Sequence, residues 1–272
     1  MPEGHTVHRT ANQFNRAFKG QLISVDSPQG RFTQSAELVA GTKLKQAVAI
    51  GKQLFLHFDE GRTVRIHLGI YGKWRWYELE PESDLPAVQG EVRARFFGID
   101  AKGKLRLAEL RGPTVCEVLE RHEVAEVTKR LGADPLNQDP TGSEYARFEA
   151  KVLKSAKSIG LLLMDQSVIS GIGNVYRAEI LFRAGLNPHR PGRDLQPSQV
   201  AEIWRDSVEL LQVGVRTGVM ITRDEYLRKD PGKEHRNFVY KREGQPCRVC
   251  GTHVSIELAA GRKLYWCAGC QH

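Results

Sequence analysis

A chain of 272 residues, 40% of them hydrophobic, is long enough for one large domain or two to three small ones with a real core. Its 40 Lys and Arg against 32 Asp and Glu leave a formal charge of +8 and a pI near 9.3, a balance that favours a polyanionic partner, because cations that neutralise phosphates release counterions, and that on charge alone equally fits a merely basic soluble protein. No stretch reaches the roughly 18 apolar residues of a membrane span and the first residues contain no apolar signal core, so the chain reads as cytoplasmic, nucleoid-associated if the polyanion is DNA, with its thiols reduced.

The chain opens Met1-Pro2-Glu3-Gly4-His5. Loss of Met1 leaves Pro2 as a secondary amine beside a carboxylate. A free α-amine has a pKa of about 8, against about 10.4 for lysine, so more of it is unprotonated and nucleophilic at neutral pH. A carboxyl group next to it has the chemistry of a general acid. The bare dipeptide is common and is usually without function. Val7, Ala11, Phe14 and Phe18 then recur at helical spacing, with Gly20 as a stop. From Leu22 to about Leu107 the pattern is that of strands. Val64, Ile66 and Leu68 alternate with Arg65 and His67, and glycines punctuate the stretch, the texture of a β-sandwich or barrel.

The texture changes at Gly132-Ala133-Asp134-Pro135, and Asp139, Pro140 and Gly142 extend a linker. Beyond it Ser143 reads as the cap of a helix carrying Phe148, Val152 and Leu153. A second helix starts near Ser198, with Val200, Ile203, Val208 and Leu211 inward. Between them lies Gly171-Ile172-Gly173-Asn174. The dinucleotide fingerprint fails here, because Tyr176 stands where its third glycine belongs. Two readings stay open: a turn whose helix N-terminus and Asn174 face a phosphate, and a tight helix–helix connection. From Thr222 to Gln245 the chain is polar and Gly/Pro-punctuated, as a mobile loop would be.

Cys247-x2-Cys250 and Cys267-x2-Cys270 are two identical pairs sixteen residues apart. Each pair presents two thiolates from one turn, and together they complete a tetrahedron around one structural zinc ion with no open coordination position. The hairpin between them carries Arg262 and Lys263. Cys116 is left over as an ordinary packed residue.

In order along the chain stand Pro2-Glu3-Gly4, Ile50-Gly51-Lys52, His67-Leu68-Gly69-Ile70-Tyr71-Gly72, Gly171-Ile172-Gly173-Asn174-Val175-Tyr176, and Gly261-Arg262 ahead of Cys267-x2-Cys270-Gln271. On these motifs the chain resembles the formamidopyrimidine-DNA glycosylase and endonuclease VIII family over essentially its whole length. The resemblance implies an α+β multidomain fold: an N-terminal β-sandwich with flanking helices over 1–130, a helix-two-turn-helix domain over 131–220, and a loop with a zinc-finger β-hairpin over 221–272. It implies a bifunctional DNA glycosylase and abasic-site lyase of base excision repair. Pro2 would form the Schiff base and Glu3 would be the general acid. Lys52 and Arg262 would contact phosphate and assist catalysis, and Arg130 and Asn174 would bind the DNA backbone. A flipped base leaves a gap that a wedge must fill, and Ile70 and Tyr71 are the candidates, against ordinary strand-end packing. The expected partner is damaged double-stranded DNA, bound by a monomer without a membrane. The expected cofactor is the zinc ion, with no organic group.

Departures from the family pattern choose between its branches. Gly4-His5-Thr6 replaces the Leu-Pro-Glu of the guanine-lesion branch, and Leu110-Arg111-Gly112-Pro113 replaces its Arg-Arg-Phe-Gly loop. Both favour the endonuclease VIII branch and oxidised pyrimidines. Gly69 departs from that branch too, where glutamine often precedes the wedge. His5 reads as a surface residue or as a group supporting the site. The alternatives are a guanine-lesion glycosylase, an enzyme using Lys52 as nucleophile or lacking lyase activity, and a zinc-hairpin DNA-binding protein without chemistry.

Overall fold

The structure is a computed structural model that describes residues 2–272. It divides into two compact units, Pro2 with Thr6–Lys129, and Glu3–His5 with Arg130–His272.

The first unit takes in most of helix α1 (Gly4–Phe18), then strand β1 (Leu22–Asp26), a short α2 (Thr33–Glu37), β2 (Thr42–Ile50), β3 (Gln53–Phe58), β4 (Thr63–His67), β5 (Lys73–Leu79), β6 (Val92–Ile99), β7 (Leu105–Arg111), β8 (Val115–Leu119) and α3 (Arg121–Lys129). The strands run antiparallel in the order β5-β7-β6-β1-β2-β3-β4-β8. β1 and β2 share only the pairs Leu22↔Lys43 and Ile23↔Thr42. The order therefore narrows there into two four-stranded halves, and residues of both, among them Leu56, Val64, Phe96 and Leu110, close one core. This is the sandwich that the alternation predicts. Helix α1 contributes Val7, Ala11, Phe14 and Phe18 to that core, all buried. The Phe14 ring meets Trp74, Trp76 and Phe96 edge-on at centroid distances of 5.0, 5.0 and 5.7 Å, and burying such a ring stabilises the fold by about 1.5–3 kcal/mol. Cys116 packs against the same core, and burial pushes its thiol up to about 12.

The second unit is helical, with a small hairpin. α4 (Ser143–Leu153), α5 (Ile159–Leu162), α6 (Asn174–Arg183) and α7 (Pro197–Thr217) enclose a core that includes Phe148, Ile172, Tyr176, Ile203 and Leu211. α7 starts as its sequence requires. Pro197 stands in the first turn, and the Gln196 and Gln199 side chains each bond the other's backbone. α4 differs from expectation at its start. The Ser143 hydroxyl turns back to Asp139, and it is the Asp139 carboxylate that accepts the N–H groups of Glu144 and Tyr145, each at 3.1 Å. A carboxylate carries full charge toward the helix N-terminus, so it outcompetes a neutral hydroxyl for those donors.

α6 is buried along nearly its whole length, polar residues included. One face supports a second small core of Phe182, Val239, Val254, Tyr265 and Cys267. The hairpin β9 (Ser255–Ala259) and β10 (Arg262–Trp266) turns on Ala260 and Gly261, both at positive φ (48° and 74°), which matches the twist of a two-residue hairpin. The polar stretch from Thr222 to Gln245 has only 3₁₀ turns, and it is tied to α6. The buried Glu179 carboxylate accepts N–H bonds from Phe238, Val239 and Tyr240 at 2.7–2.9 Å and the Thr222 hydroxyl at 2.5 Å. No helix among the described residues is long and apolar enough to cross a membrane.

Candidate functional site

In the first unit, Pro2 is half-buried immediately ahead of α1. Lys52 lies on the two-residue turn between β2 and β3, opened by Gly51 at φ +56° and closed by the Ile50↔Gln53 pair. Gln53 pairs in turn with His67 at the end of β4. Burial pushes the His67 imidazole below its ordinary range, and the charges of Lys52 and Arg65 push it the same way. Directly after His67 the chain reverses: the Gly72 N–H donates to the Leu68 carbonyl at 3.0 Å. A β-carbon on Gly72 would stand 2.2 Å from that carbonyl oxygen, so only glycine closes the turn. At its apex Ile70 is 62% and Tyr71 85% exposed. Two large apolar side chains on a glycine-closed tip, facing solvent, are the opposite of strand-end packing.

In the second unit, Glu3 is fully buried. Its two carboxylate oxygens accept the N–H groups of Gly173 at 2.7 Å and Val175 at 2.9 Å. These are donors that the start of α6 leaves without an intrahelical partner, and the helix dipole favours a negative charge there. The two glycines of the loop have steric reasons. A β-carbon on Gly173 would meet the Glu3 carboxyl carbon at 2.5 Å. Gly4 donates its N–H to the Gly171 carbonyl at 2.8 Å, and a β-carbon on Gly4 would meet the Gly171 α-carbon at 2.8 Å. Gly171-Ile172-Gly173 is thus the seat of Glu3 and Gly4. His5 is buried as well, with its ring edge-on to Tyr176 at 5.4 Å and over Gly214. It is a buried residue and not a surface one.

Asn174 opens α6 and is largely buried. Its Nδ2 donates to the Lys263 carbonyl at 2.8 Å, in β10. The Arg177 Nη2 donates to the same carbonyl at 3.0 Å and also bonds the Asn174 side-chain oxygen. Together they fasten the hairpin that carries Arg262, which is exposed beside the tip. Arg177 itself is wholly buried, and its Nε and Nη1 have no hydrogen-bond partner among the described residues. Burial, then the charge of Arg262, brings it down to about 10, so it remains a cation at neutral pH. Arg177 is thus a buried cation beside a second arginine, with two N–H groups that no described residue accepts. Sequence reading passed over Arg177, because a single arginine inside a helix has no distinguishing pattern. Arg130 is exposed at the start of this unit.

The sulfurs of Cys247, Cys250, Cys267 and Cys270 all lie within 4.8 Å of one another, with 3.8 Å between Cys247 and Cys270 and 3.5 Å between Cys250 and Cys267. Zinc–sulfur bonds of about 2.3 Å give tetrahedral edges of about 3.8 Å, so these residues fit one structural zinc ion.

Three domain profiles match the chain in order. The formamidopyrimidine-DNA glycosylase N-terminal domain matches residues 1–116, the H2TH domain of the same glycosylase 131–225, and the zinc finger found in FPG and IleRS 244–272. Over 100% of both chains the sequence is 44% identical to Endonuclease 8 1 of Mycobacterium tuberculosis. The chain belongs to the formamidopyrimidine-DNA glycosylase and endonuclease VIII family. Members of this family are base-excision-repair DNA N-glycosylases with abasic-site lyase activity, and this chain is an enzyme of that kind. Within the family it is also 31% identical to the formamidopyrimidine-DNA glycosylase of Thermus thermophilus, over 100% of this chain and 98% of the relative. The crystal structure of the Thermus thermophilus MutM (Fpg) protein superposes with a TM-score of 0.72 at 27% identity, covering 99% and 98% of the two chains. Lactococcus lactis Fpg in complex with an abasic-site-containing DNA shares the fold, with a TM-score of 0.76 at 21% identity over 99% of each chain.

Proposed function

We propose that this chain excises oxidised bases, pyrimidines foremost, from double-stranded damaged DNA and then cuts the strand at the resulting abasic site. The carrying observation is the Glu3 carboxylate, fully buried and held on both oxygens by the start of α6, one peptide bond from Pro2. An acid fixed beside an N-terminal amine is oriented before any substrate arrives.

The chemistry follows from those two groups. The Pro2 nitrogen, freed by loss of Met1, bonds to C1′ of the damaged nucleotide while the glycosidic bond breaks and the base leaves with its electron pair. Glu3 protonates the sugar ring oxygen, the ring opens, and an iminium joins Pro2 to C1′. Loss of a C2′ proton then expels the 3′ phosphate, and a second elimination expels the 5′ phosphate. Water hydrolyses the adduct and restores the amine. Lys52, Arg262, Arg177, Asn174 and Arg130 would hold backbone phosphates, and Ile70 and Tyr71 would fill the gap left by the flipped nucleotide.

The pyrimidine preference is supported by the 44% identity to a protein named Endonuclease 8 1 and by Gly112-Pro113 at the β7–β8 turn, which carries no aromatic ring. The 31% identity to a formamidopyrimidine-DNA glycosylase supports the guanine-lesion alternative, and rates on duplexes carrying each lesion class separate the two. The deciding test of the mechanism is borohydride trapping on abasic-site DNA, with Met-processed protein against Pro2→Ala. A covalent band with the former alone is expected. A band with both moves the nucleophile to a lysine, Lys52 first, and none with either, despite tight binding, leaves a DNA-binding protein without this chemistry.

A further inference from the structure

The turn after β4 lacks a side chain where its wedge begins. Gly69 sits at φ +66°, and a β-carbon there would stand 1.9 Å from the Thr114 hydroxyl oxygen and 3.1 Å from the Thr114 β-carbon. The space belonging to a residue-69 side chain is therefore filled by Thr114, from a different strand connection. That placement is fixed by backbone. The Thr114 N–H donates to the His67 carbonyl at 2.9 Å, one step beyond the His67↔Val115 pair. The preceding Gly112, at φ +52°, donates to the Glu91 carbonyl at 3.3 Å, and Pro113 is buried. Thr114 is itself exposed, as Ile70 and Tyr71 are. Three side chains thus share one exposed tip, and Thr114 brings to the place of a residue-69 side chain a short hydroxyl that both donates and accepts, whereas the Tyr71 hydroxyl stands at the far edge of an aromatic ring.

We propose that Thr114 is a specificity-determining residue whose hydroxyl, standing in for a residue-69 side chain, hydrogen-bonds the edge of the base left without its partner when the damaged nucleotide flips out. The inference rests on the reading of Ile70 and Tyr71 as the wedge. A hydroxyl is a short, adaptable reader. It discriminates among opposite bases by one hydrogen bond made or missed, in contrast to a bidentate guanidinium, which demands one particular edge.

The test is single-turnover excision of one oxidised pyrimidine placed opposite each of the four bases, with wild type, Thr114→Val, Thr114→Ser, Ile70→Ala and Tyr71→Ala. Valine keeps the shape and removes the hydroxyl, so the spread of rates across the four opposite bases should shrink by about two- to tenfold, the worth of one hydrogen bond. Serine should keep the wild-type spread. Melting temperatures check that the variants stay folded, which exposure of Thr114 favours. A Thr114→Val profile that is unchanged, or lowered equally for all four bases, overturns the proposal, as does a flat wild-type profile. If Ile70→Ala and Tyr71→Ala slow excision while Thr114→Val changes nothing, the wedge reading stands and the Thr114 proposal alone falls. If none of the three changes anything, both fall.

Discussion

The Glu3 carboxylate and the Gly173 N–H meet at 2.7 Å, a bond between the third residue of the chain and the loop that opens a helix some 170 positions later. It makes the acid part of the helical unit in which Arg177, Asn174 and Arg262 also lie. The glycine is as necessary to this bond as the carboxylate.

Gly173→Ala places a methyl group 2.5 Å from the Glu3 carboxyl carbon. The overlap must be relieved by moving Glu3, so we expect a loss of about 1–3 kcal/mol in stability and a fall in excision rate of at least tenfold, as misplacement of an acid by a fraction of an ångström entails. Melting curves and single-turnover rates check both. A variant of wild-type stability and rate would show that Glu3 is not held by this contact.

Arg177→Ala removes a buried cation and a bond to the Lys263 carbonyl. Binding should weaken for all DNA sequences alike, and the slope of log affinity against log salt should become shallower by about one, the share of a single phosphate contact. Fluorescence anisotropy over a salt series measures the slope. An unchanged slope assigns Arg177 to fastening the hairpin alone.

Removal of zinc should unfasten the hairpin. Without the cation nothing bridges the two cysteine turns, and a segment this small has little core of its own. The bonds from Asn174 and Arg177 to Lys263 depend on the hairpin's shape, so metal-stripped protein should lose most of its DNA affinity and regain it with added zinc. Metal content and binding measured on the same samples decide this, and full affinity without metal would separate the hairpin from DNA binding.

The N-terminal unit should lose stability in mild acid. His57 is lowered by burial, and His67 by burial and then by the Lys52 and Arg65 charges. As pH falls, the unfolded chain takes up these protons first, near pH 6.5, so stability is intact above that value and declines below it. Denaturation midpoints from pH 8 to 5 for wild type and a His57→Asn/His67→Asn double variant test this. The variant should show the shallower decline, and parallel curves would exclude the two histidines as its source.

How much was legible in the sequence depended on whether a local pattern carried the information. The alternation around Val64 and Ile66, the helical spacing of Val7 to Phe18 and the two cysteine pairs each reflect a short-range rule, and each element stands where that rule puts it. The Gly171-Ile172-Gly173 loop had two open readings, because what decides it is Glu3 and Gly4, far away in sequence. Arg177 had no reading and His5 stayed open between surface and support, since their burial is a property of the helices that close over them. Thr114 was invisible for the same reason. Its meaning lies in a glycine forty-five positions earlier, and no window of neighbouring residues contains both.

Helix α6 bears two attachments on one rod. Asn174 and the donors for Glu3 stand at its start, and Glu179 five residues on binds the segment that leads into the metal module. Along the axis they are about 7.5 Å apart, and each residue turns the helix by about 100°. Inserting or deleting a single residue between them would swing one attachment away from its partner while leaving every side chain in place. The count of residues in that stretch is therefore as binding a constraint as their identities, and a one-residue change in length there should be more damaging than most substitutions.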